Sequence, residues 1–290
     1  MRVHLIAATA LGAVVAFGGG RPSAESAATY LLRADWAQTL MTKQKAMPAP
    51  DLVDAPVGKG EKYQANVVRR TKPQGAIAHM AGTEIHSILE GSATLVTGGT
   101  IVRPASDERG GATIKDGQTW HLTRGDVILV PPQTPHWYKD IEGSVTYLET
   151  RFDVGAAPGG PAVALMNAEA NKKLGERGAA PGAPLMFSTP VTSGDHYQSN
   201  IVRRTKAQGS AAHPGWTEIH HILSGSGTFV TGGTVVRGTT NGVEGNTIDG
   251  GVSRPVSAGD VVLVPAGMPH WYKAVDAGGI TYVETRFELP

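Results

Sequence analysis

The 290-residue chain contains no cysteine. That absence excludes disulfides, thiolate metal sites, iron–sulfur clusters and a cysteine nucleophile together. Aromatic residues are scarce at 6%, and charged residues make up only 18%. The formal charge is +1 with no basic stripe, so no nucleic-acid partner is indicated. Beyond the N-terminus, no apolar run is long enough to suggest a membrane span. Glycine (38 residues) and proline (19) are plentiful, without a collagen period. With 40% hydrophobic residues, the chain reads as globular, with many turns and short strands. Its length suits about two domains.

The first residues read as an address. Met1-Arg2 opens a short basic segment, and Leu5 to Phe17 is almost wholly apolar. This run of about 13 residues is short for a bilayer span. Ala24-Glu25-Ser26 and Ser26-Ala27-Ala28 follow as cleavage sites of small residues. The pattern is that of a secretory signal peptide over residues 1–26, and it predicts a periplasmic or secreted protein with no membrane association after cleavage. A single Arg2 gives no twin-arginine signal, so export in the unfolded state is expected. Cleavage removes Arg2, Arg21 and Glu25 and takes the charge from +1 to zero.

The chain is written twice. Tyr63 to Lys72 returns as Tyr197 to Lys206, and Thr83-Glu84-Ile85-His86 returns as Thr217-Glu218-Ile219-His220. Pro135-His136-Trp137-Tyr138-Lys139 returns as Pro269-His270-Trp271-Tyr272-Lys273. Thr146 to Phe152 matches Thr281 to Phe287 after one added residue. Two copies are too few for a solenoid, so the expectation is two like domains in tandem. Short β-rich runs such as Val67-Val68, Ile88-Leu89, Thr94 to Val96, Val127 to Val130 and Val145 to Leu148 lie between glycine, proline and aspartate. They predict an all-β sandwich or barrel in each copy. Gly98-Gly99 and Gly232-Gly233 read as tight hairpins. Each copy has a lead-in with a short helix. Leu32, Trp36 and Leu40 share one helical face in the first, and Ala164 to Leu174 is helix-like in the second. The expected boundaries are a helical or irregular lead-in over 27–61, a first barrel over 62–154, a linker with a short helix over 155–195 and a second barrel over 196–290.

Six of the ten histidines form matched pairs: His79 with His213, His86 with His220, and His136 with His270. Glu84 and Glu218 match as well. Glu84 and His86 alternate on a strand, which puts both side chains on one face, roughly 6.6 Å apart along it. His136 follows a buried strand and a proline-limited loop. Three imidazoles and a carboxylate converging inside a barrel suit Fe, Mn, Zn, Ni or Cu, one ion per barrel. Duplicated structural residues would recur in the same way. Against that reading, a strand-face glutamate beside a histidine is costly to bury unless something positive sits there. His121, His196 and His221 have no twin and read as structural or exposed.

At these residues the sequence resembles the cupin superfamily. His79, Glu84 and Gly91 fit the first cupin motif, as do His213, Glu218 and Gly225. The second motif is matched throughout by Gly259-Asp260 to Pro265-Ala266-Gly267-Met268-Pro269-His270. Gly125-Asp126 to Pro131-Pro132-Gln133-Thr134-Pro135-His136 matches with Gln133 in place of the glycine. The resemblance implies a bicupin, two tandem jelly-roll barrels with a metal site in each mouth. It assigns His79, Glu84 and His136, and their twins, as ligands. The first histidine of the usual His-x-His pair is absent, replaced by Ile77 and Ala211. His86 and His220 are extra, and are expected to supply the missing ligand. The alternative is an imidazole that orients a ligand or faces substrate.

Other paired residues can face the cavity. Arg69 and Arg203 are candidates for holding an anionic substrate, since alternation admits only one arginine of Arg69-Arg70 and of Arg203-Arg204. Tyr138 and Tyr272 are candidate proton donors. Trp137 and Trp271 read as wall or interface. Glu149-x-Arg151 and Glu284-x-Arg286 read as structural pairs. Differences at Gly82/Trp216 and Ser87/His221 point to unequal mouths, with Trp216 narrowing the second. The resemblance favours a metal-dependent dioxygenase acting on a small oxygenated molecule. A non-redox lyase, isomerase or decarboxylase is the second reading. A binding cupin without turnover is the third. Association of copies into a homo-oligomer is compatible with all three.

Overall fold

The computed structural model describes residues 27–105, 111–154, 156–238 and 245–289, so the signal-peptide expectation over 1–26 lies outside the described residues. The first repeat runs β1 (Thr29–Leu31), α1 (Arg33–Gln44), β2 (Leu52–Lys59), β3 (Tyr63–Arg70), β4 (Thr83–Thr97), β5 (Thr100–Val102), β6 (Thr113–Lys115), β7 (Gln118–Thr123), β8 (Val127–Val130) and β9 (His136–Phe152). The second repeats that order: β10 (Val163–Leu165), α2 (Asn167–Ala179), β11 (Met186–Gly194), β12 (Tyr197–Arg204), β13 (Trp216–Thr231), β14 (Thr234–Val236), β15 (Thr247–Asp249), β16 (Val252–Ser257), β17 (Val261–Val264) and β18 (His270–Glu288). The fold is all-β, with two large antiparallel sheets ordered β10-β8-β4-β9-β3-β2 and β1-β17-β13-β18-β12-β11.

Two long strands curl each sheet into a barrel. β4 pairs with β8 through Glu84–Ser87 and with β7 through Ser92–Thr97, so one strand serves both walls. Ile88-Leu89 and Thr94–Val96 are therefore parts of one strand. The bend between them carries register shifts at Ile88/Glu90 and Gly91/Ala93. Gly91 sits there with φ 75°, and a Cβ on it would lie 1.9 Å from the Ser144 carbonyl oxygen. Only glycine fits such an approach. Gly225 is in the same position against the Gly279 carbonyl. Gly98-Gly99 turns the chain but does not close the expected hairpin, because β5 pairs with β6 rather than with β4.

The lead-in segments do more than connect. β2 and β11, read as lead-in and linker, are sheet strands paired with β3 and β12. The leading strand of each repeat serves the other barrel: β1 pairs with β17, while β10 pairs with β8. Helix α2 starts later than expected, because Val163–Leu165 is a strand, and it continues through Gly175 to Ala179. Gly178 is used there for close packing, since a Cβ would stand 2.9 Å from Phe187 Cζ. Asp260 accepts the Arg33 backbone N–H of α1 at 2.7 Å, and Asp126 accepts the Asn167 backbone N–H of α2 at 2.6 Å. Neither helix has a capping side chain of its own, so the buried Gly-Asp turn of a barrel satisfies the first turn of the helix docked on it.

Each barrel has its own apolar interior, and a third cluster joins them. Ile88, Leu95, Leu122 and Tyr147 fill the first, and Ile222, Phe229, Val256 and Tyr282 the second. The joining cluster includes Trp36, Leu40, Phe152, Phe187, Tyr197 and Phe287. Phe152 and Phe287 occupy equivalent positions and stack on each other at 4.9 Å and 9°. Ser87 and His221 are also equivalent, and Ser87 Oγ lies 2.7 Å from His221 Nδ1. Both contacts mark a pseudo-two-fold axis between the barrels. The expectation that Ser87/His221 distinguishes the mouths is thereby corrected. His221 alternates away from the barrel interior and is buried at the joint.

Replacing Asp260 by Ala should lower the unfolding free energy by about 2–3 kcal/mol, since it orphans backbone donors on α1 and at Ser257. Urea unfolding, with amide exchange at Arg33 and Ala34, checks this. Burial lowers the His221 pKa from 6.5 to about 3. The unfolded chain binds that proton more readily, so the contribution is complete above pH 6.5 and falls as pH drops toward 3. His221→Gln should reduce the slope of unfolding free energy against pH in that window by up to about 1.4 kcal/mol per unit. An unchanged slope would show that this imidazole is not kept neutral.

Candidate metal centre

Strand alternation builds the same cluster in each barrel. On β4, Glu84 and His86 point inward, and the facing strand β9 presents Arg151 and Glu149 directly opposite them. The second barrel pairs Glu218 with Arg286 and His220 with Glu284. His136 and Tyr138 enter at the start of β9. His79 comes from the loop before β4, held because its carbonyl accepts the Gln133 backbone N–H at 2.7 Å. Gln133 adopts φ 62° where the second repeat has Gly267 at φ 73°. A Cβ at Gly267 would meet open space, so a side chain is tolerated there at the modest cost of a left-handed backbone.

In the first barrel Glu84 is the hub. Its Oε1 lies 3.1 Å from His79 Nε2, and its Oε2 lies 3.2 Å from His86 Nε2 and 3.5 Å from His136 Nε2. In the second, Glu218 lies 3.6 Å from His213, 3.2 Å from His220 and 3.5 Å from His270. The donor atoms fall into two overlapping triplets per barrel. One is His79, Glu84 and His136; the other is Glu84, His86 and Glu149. His213, Glu218 and His270, and Glu218, His220 and Glu284, repeat the arrangement. His86 and His220 thus share the carboxylate with the main triplet but group with a second acid. Glu149 and Glu284, read from sequence as structural partners of an arginine, are brought into the site. The signal that could have found them is the Glu-x-Arg alternation of β9, complementary to the Glu-x-His alternation of β4.

The electrostatics favour neutral imidazoles around an ionised acid. Burial opposes the charge on Glu84, but the His86 hydrogen bond and the neighbouring His86, His136 and Arg151 outweigh it and bring its pKa down to about 2. Burial lowers His136, His220 and His270 to about 4 each. His136 Nδ1 faces the Thr134 carbonyl at 3.1 Å, and His270 Nδ1 faces the Met268 carbonyl at 3.1 Å. Only a protonated Nδ1 can donate to a carbonyl, so each Nε2 keeps its lone pair for the cluster. Glu218 Oε1 is buried with no hydrogen-bond partner among the described residues. An orphaned carboxylate oxygen beside unprotonated imidazole nitrogens fits a divalent cation.

The second barrel's site opens into a cavity of about 590 Å³ whose lining includes His213, His270, Glu284, Arg204, Trp271 and Tyr272. Arg203 is not among its lining residues, and Arg69 and Arg203 are both tied to side chains or carbonyls elsewhere, contrary to expectation. Arg69 reaches Ser144 Oγ, and Arg203 reaches Thr281 Oγ1 and the Gly278 carbonyl. Period-two alternation turns Arg70 and Arg204 inward instead. Arg204 donates to Tyr282 Oη at 2.9 Å and lies over the Tyr272 ring. Tyr138 and Tyr272 do enter the sites, each with its hydroxyl 3.1 Å from Nδ1 of His86 or His220. Burial raises both phenols well above their usual range. Trp216 is not among the lining residues; the indole in the wall is Trp271.

Residues 195–285, nearly all of the second barrel, match the Cupin family model. No curated protein matches the sequence. Among solved structures, the salicylate 1,2-dioxygenase of Pseudaminobacter salicylatoxidans aligns with TM-score 0.61 and 12% identity, covering 95% of this chain and 88% of that one. A gentisate adduct of that enzyme aligns with TM-score 0.60 and 12% identity, over 93% and 83%. A Cupin 2 conserved barrel domain protein from Leptotrichia buccalis aligns with TM-score 0.51 and 12% identity, over 82% and 89%. At such identities these likenesses speak for the fold alone. Residues 195–285 thus belong to the Cupin family, and the first barrel repeats their strand order and paired motifs, so the chain has the fold of two tandem cupin barrels.

Proposed function

We propose that each barrel holds one divalent transition metal and that the chain is an exported enzyme acting on a small oxygenated organic molecule by dioxygenase-type chemistry. The observation that carries this reading is the triplet of two imidazoles and one carboxylate in each barrel. Two histidines and one acid leave coordination positions open and suit Fe among the ions that such donors accept, with Mn, Zn, Ni and Cu as the others. The bound ion would supply Lewis acidity and, if redox-active, one-electron chemistry. His79, Glu84 and His136, with His213, Glu218 and His270, are the residues that would hold it. Export rests on the leader sequence.

The chain's own groups would do the rest. Arg204, inside the cavity, would meet an anionic substrate group with its remaining donors, and Arg70 is its equivalent in the first barrel. Trp271 and Tyr272 give that cavity a flat apolar wall. His220 Nε2 donates to Glu218 Oε2, and Tyr272 donates to His220 Nδ1, so a phenol–imidazole–carboxylate chain holds the acid in place. The same chain can pass a proton, and this favours a second reading as a non-redox lyase or decarboxylase.

His220→Ala should weaken metal binding by about 10–100-fold while one ion per barrel is still bound at saturation, because the imidazole orients the ligating acid. Elemental analysis and metal titration check this; unchanged affinity would leave the ring with packing alone. Protein from the exported fraction, incubated with a panel of small hydroxy-aromatic and dicarboxylic acids, should consume O₂ in step with substrate loss. Conversion that persists without O₂ would replace the dioxygenase reading with the lyase one.

A further inference from the structure

The two centres share their residues but differ in one contact. In the first barrel the Arg151 guanidinium lies across the site. Its Nε donates to Glu84 Oε1 at 2.9 Å, and its Nη2 lies 2.9 Å from the same oxygen, 2.9 Å from His79 Nε2 and 3.5 Å from Glu149 Oε1. An arginine can only donate, so His79 Nε2 is accepting with the lone pair that a metal would need. Arg151 and an ion therefore compete for the same nitrogen and the same carboxylate oxygen. In the second barrel Arg286 is turned aside. Its Nε lies 2.8 Å from Glu284 Oε1 and 3.6 Å from Glu218 Oε2, and Glu218 Oε1 has no hydrogen-bond partner among the described residues.

The local sequence accounts for the difference. A Cβ at Gly82 would stand 2.8 Å from Arg151 Cγ and 3.0 Å from Cδ, so the arginine stem lies over this glycine. Gly82 also carries the left-handed turn, with φ 92°. In the second repeat the equivalent residue is Trp216, and the left-handed place moves back one residue to Gly215, φ 82°. The seat that Arg151 uses is not reproduced for Arg286.

We propose that Arg151 is a built-in cation that occupies the metal position of the first barrel, so that the second barrel binds a divalent ion first and more tightly. This rests on the reading that both barrels hold metal. Barrel one then loads only when the ion displaces the guanidinium, which keeps the buried Glu84 charge compensated in the meantime.

The test is a titration of the metal-free full-length chain with Mn(II), following the free ion by its paramagnetic resonance signal. Two classes of site are expected, separated by about tenfold or more in affinity, the scale on which neighbouring groups tune metal sites. Glu218→Gln should remove the tighter class and Glu84→Gln the weaker one. Arg151→Met should strengthen the weaker class toward the tighter, while Arg286→Met should shift the tighter class far less. Two equal classes in the wild-type protein, loss of the tighter class in Glu84→Gln, or no gain in Arg151→Met would overturn the proposal and leave the metal reading intact. No Mn(II) bound by any form would overturn both. The two glutamate variants decide the order of loading even if Arg151→Met does not fold.

Discussion

A carboxylate inside an apolar barrel is the constraint around which this molecule is organised. Burying an ionised acid costs several kcal/mol unless positive or donating groups surround it. Glu84 and Glu218 are each almost fully buried, and each is met by imidazoles from three places in the chain and by an arginine from the strand opposite. The long strands, their bulges and the loop that carries His79 are what bring those groups within reach. Remove the acid, and the inward turn of the histidines loses its purpose. Remove the imidazoles, and the acid becomes an uncompensated charge.

Duplication solves a second problem. A single curled sheet has edges and an uncovered outer face. Here each barrel receives its edge strand from the other repeat, and the outer faces meet in a common apolar cluster. The exchange is reciprocal, and the Gly-Asp turn in each barrel caps the helix that arrives with the exchanged strand. On the pseudo-two-fold axis an exact duplicate would place like against like. Phe152 against Phe287 tolerates that, because stacked rings are complementary to themselves. Ser87 against His221 has diverged into a hydrogen-bonded pair, and that divergence suits a contact that two equal side chains would satisfy less well.

Divergence at the mouths has a different consequence. The barrels keep the same inward residues on β4 and β9, yet a glycine in one turn and a tryptophan in the other redirect a neighbouring arginine. A centre's affinity for a cation depends on its donors and also on which other cation can reach them. A change of turn outside the ligand set can therefore separate two otherwise matched sites.

Periodicity and repetition made much of this readable beforehand. The tandem organisation, the all-β class, the paired histidines and the acids Glu84 and Glu218 follow from local spacing, which a strand translates directly into a face. The choice between Arg69 and Arg70 did not follow, because alternation says that only one points inward and strand register decides which. Glu149 and Glu284 were legible as strand residues but not as members of the site, since their relevance depends on which residue of β4 or β13 stands opposite. The strand exchange and the burial of His221 were equally hidden, being contacts between segments far apart in the chain. Sequence by itself determined the types and spacing of the chemical groups. Only the tertiary structure decided which of them meet, because pairing register and barrel closure are set by the packing of the whole chain.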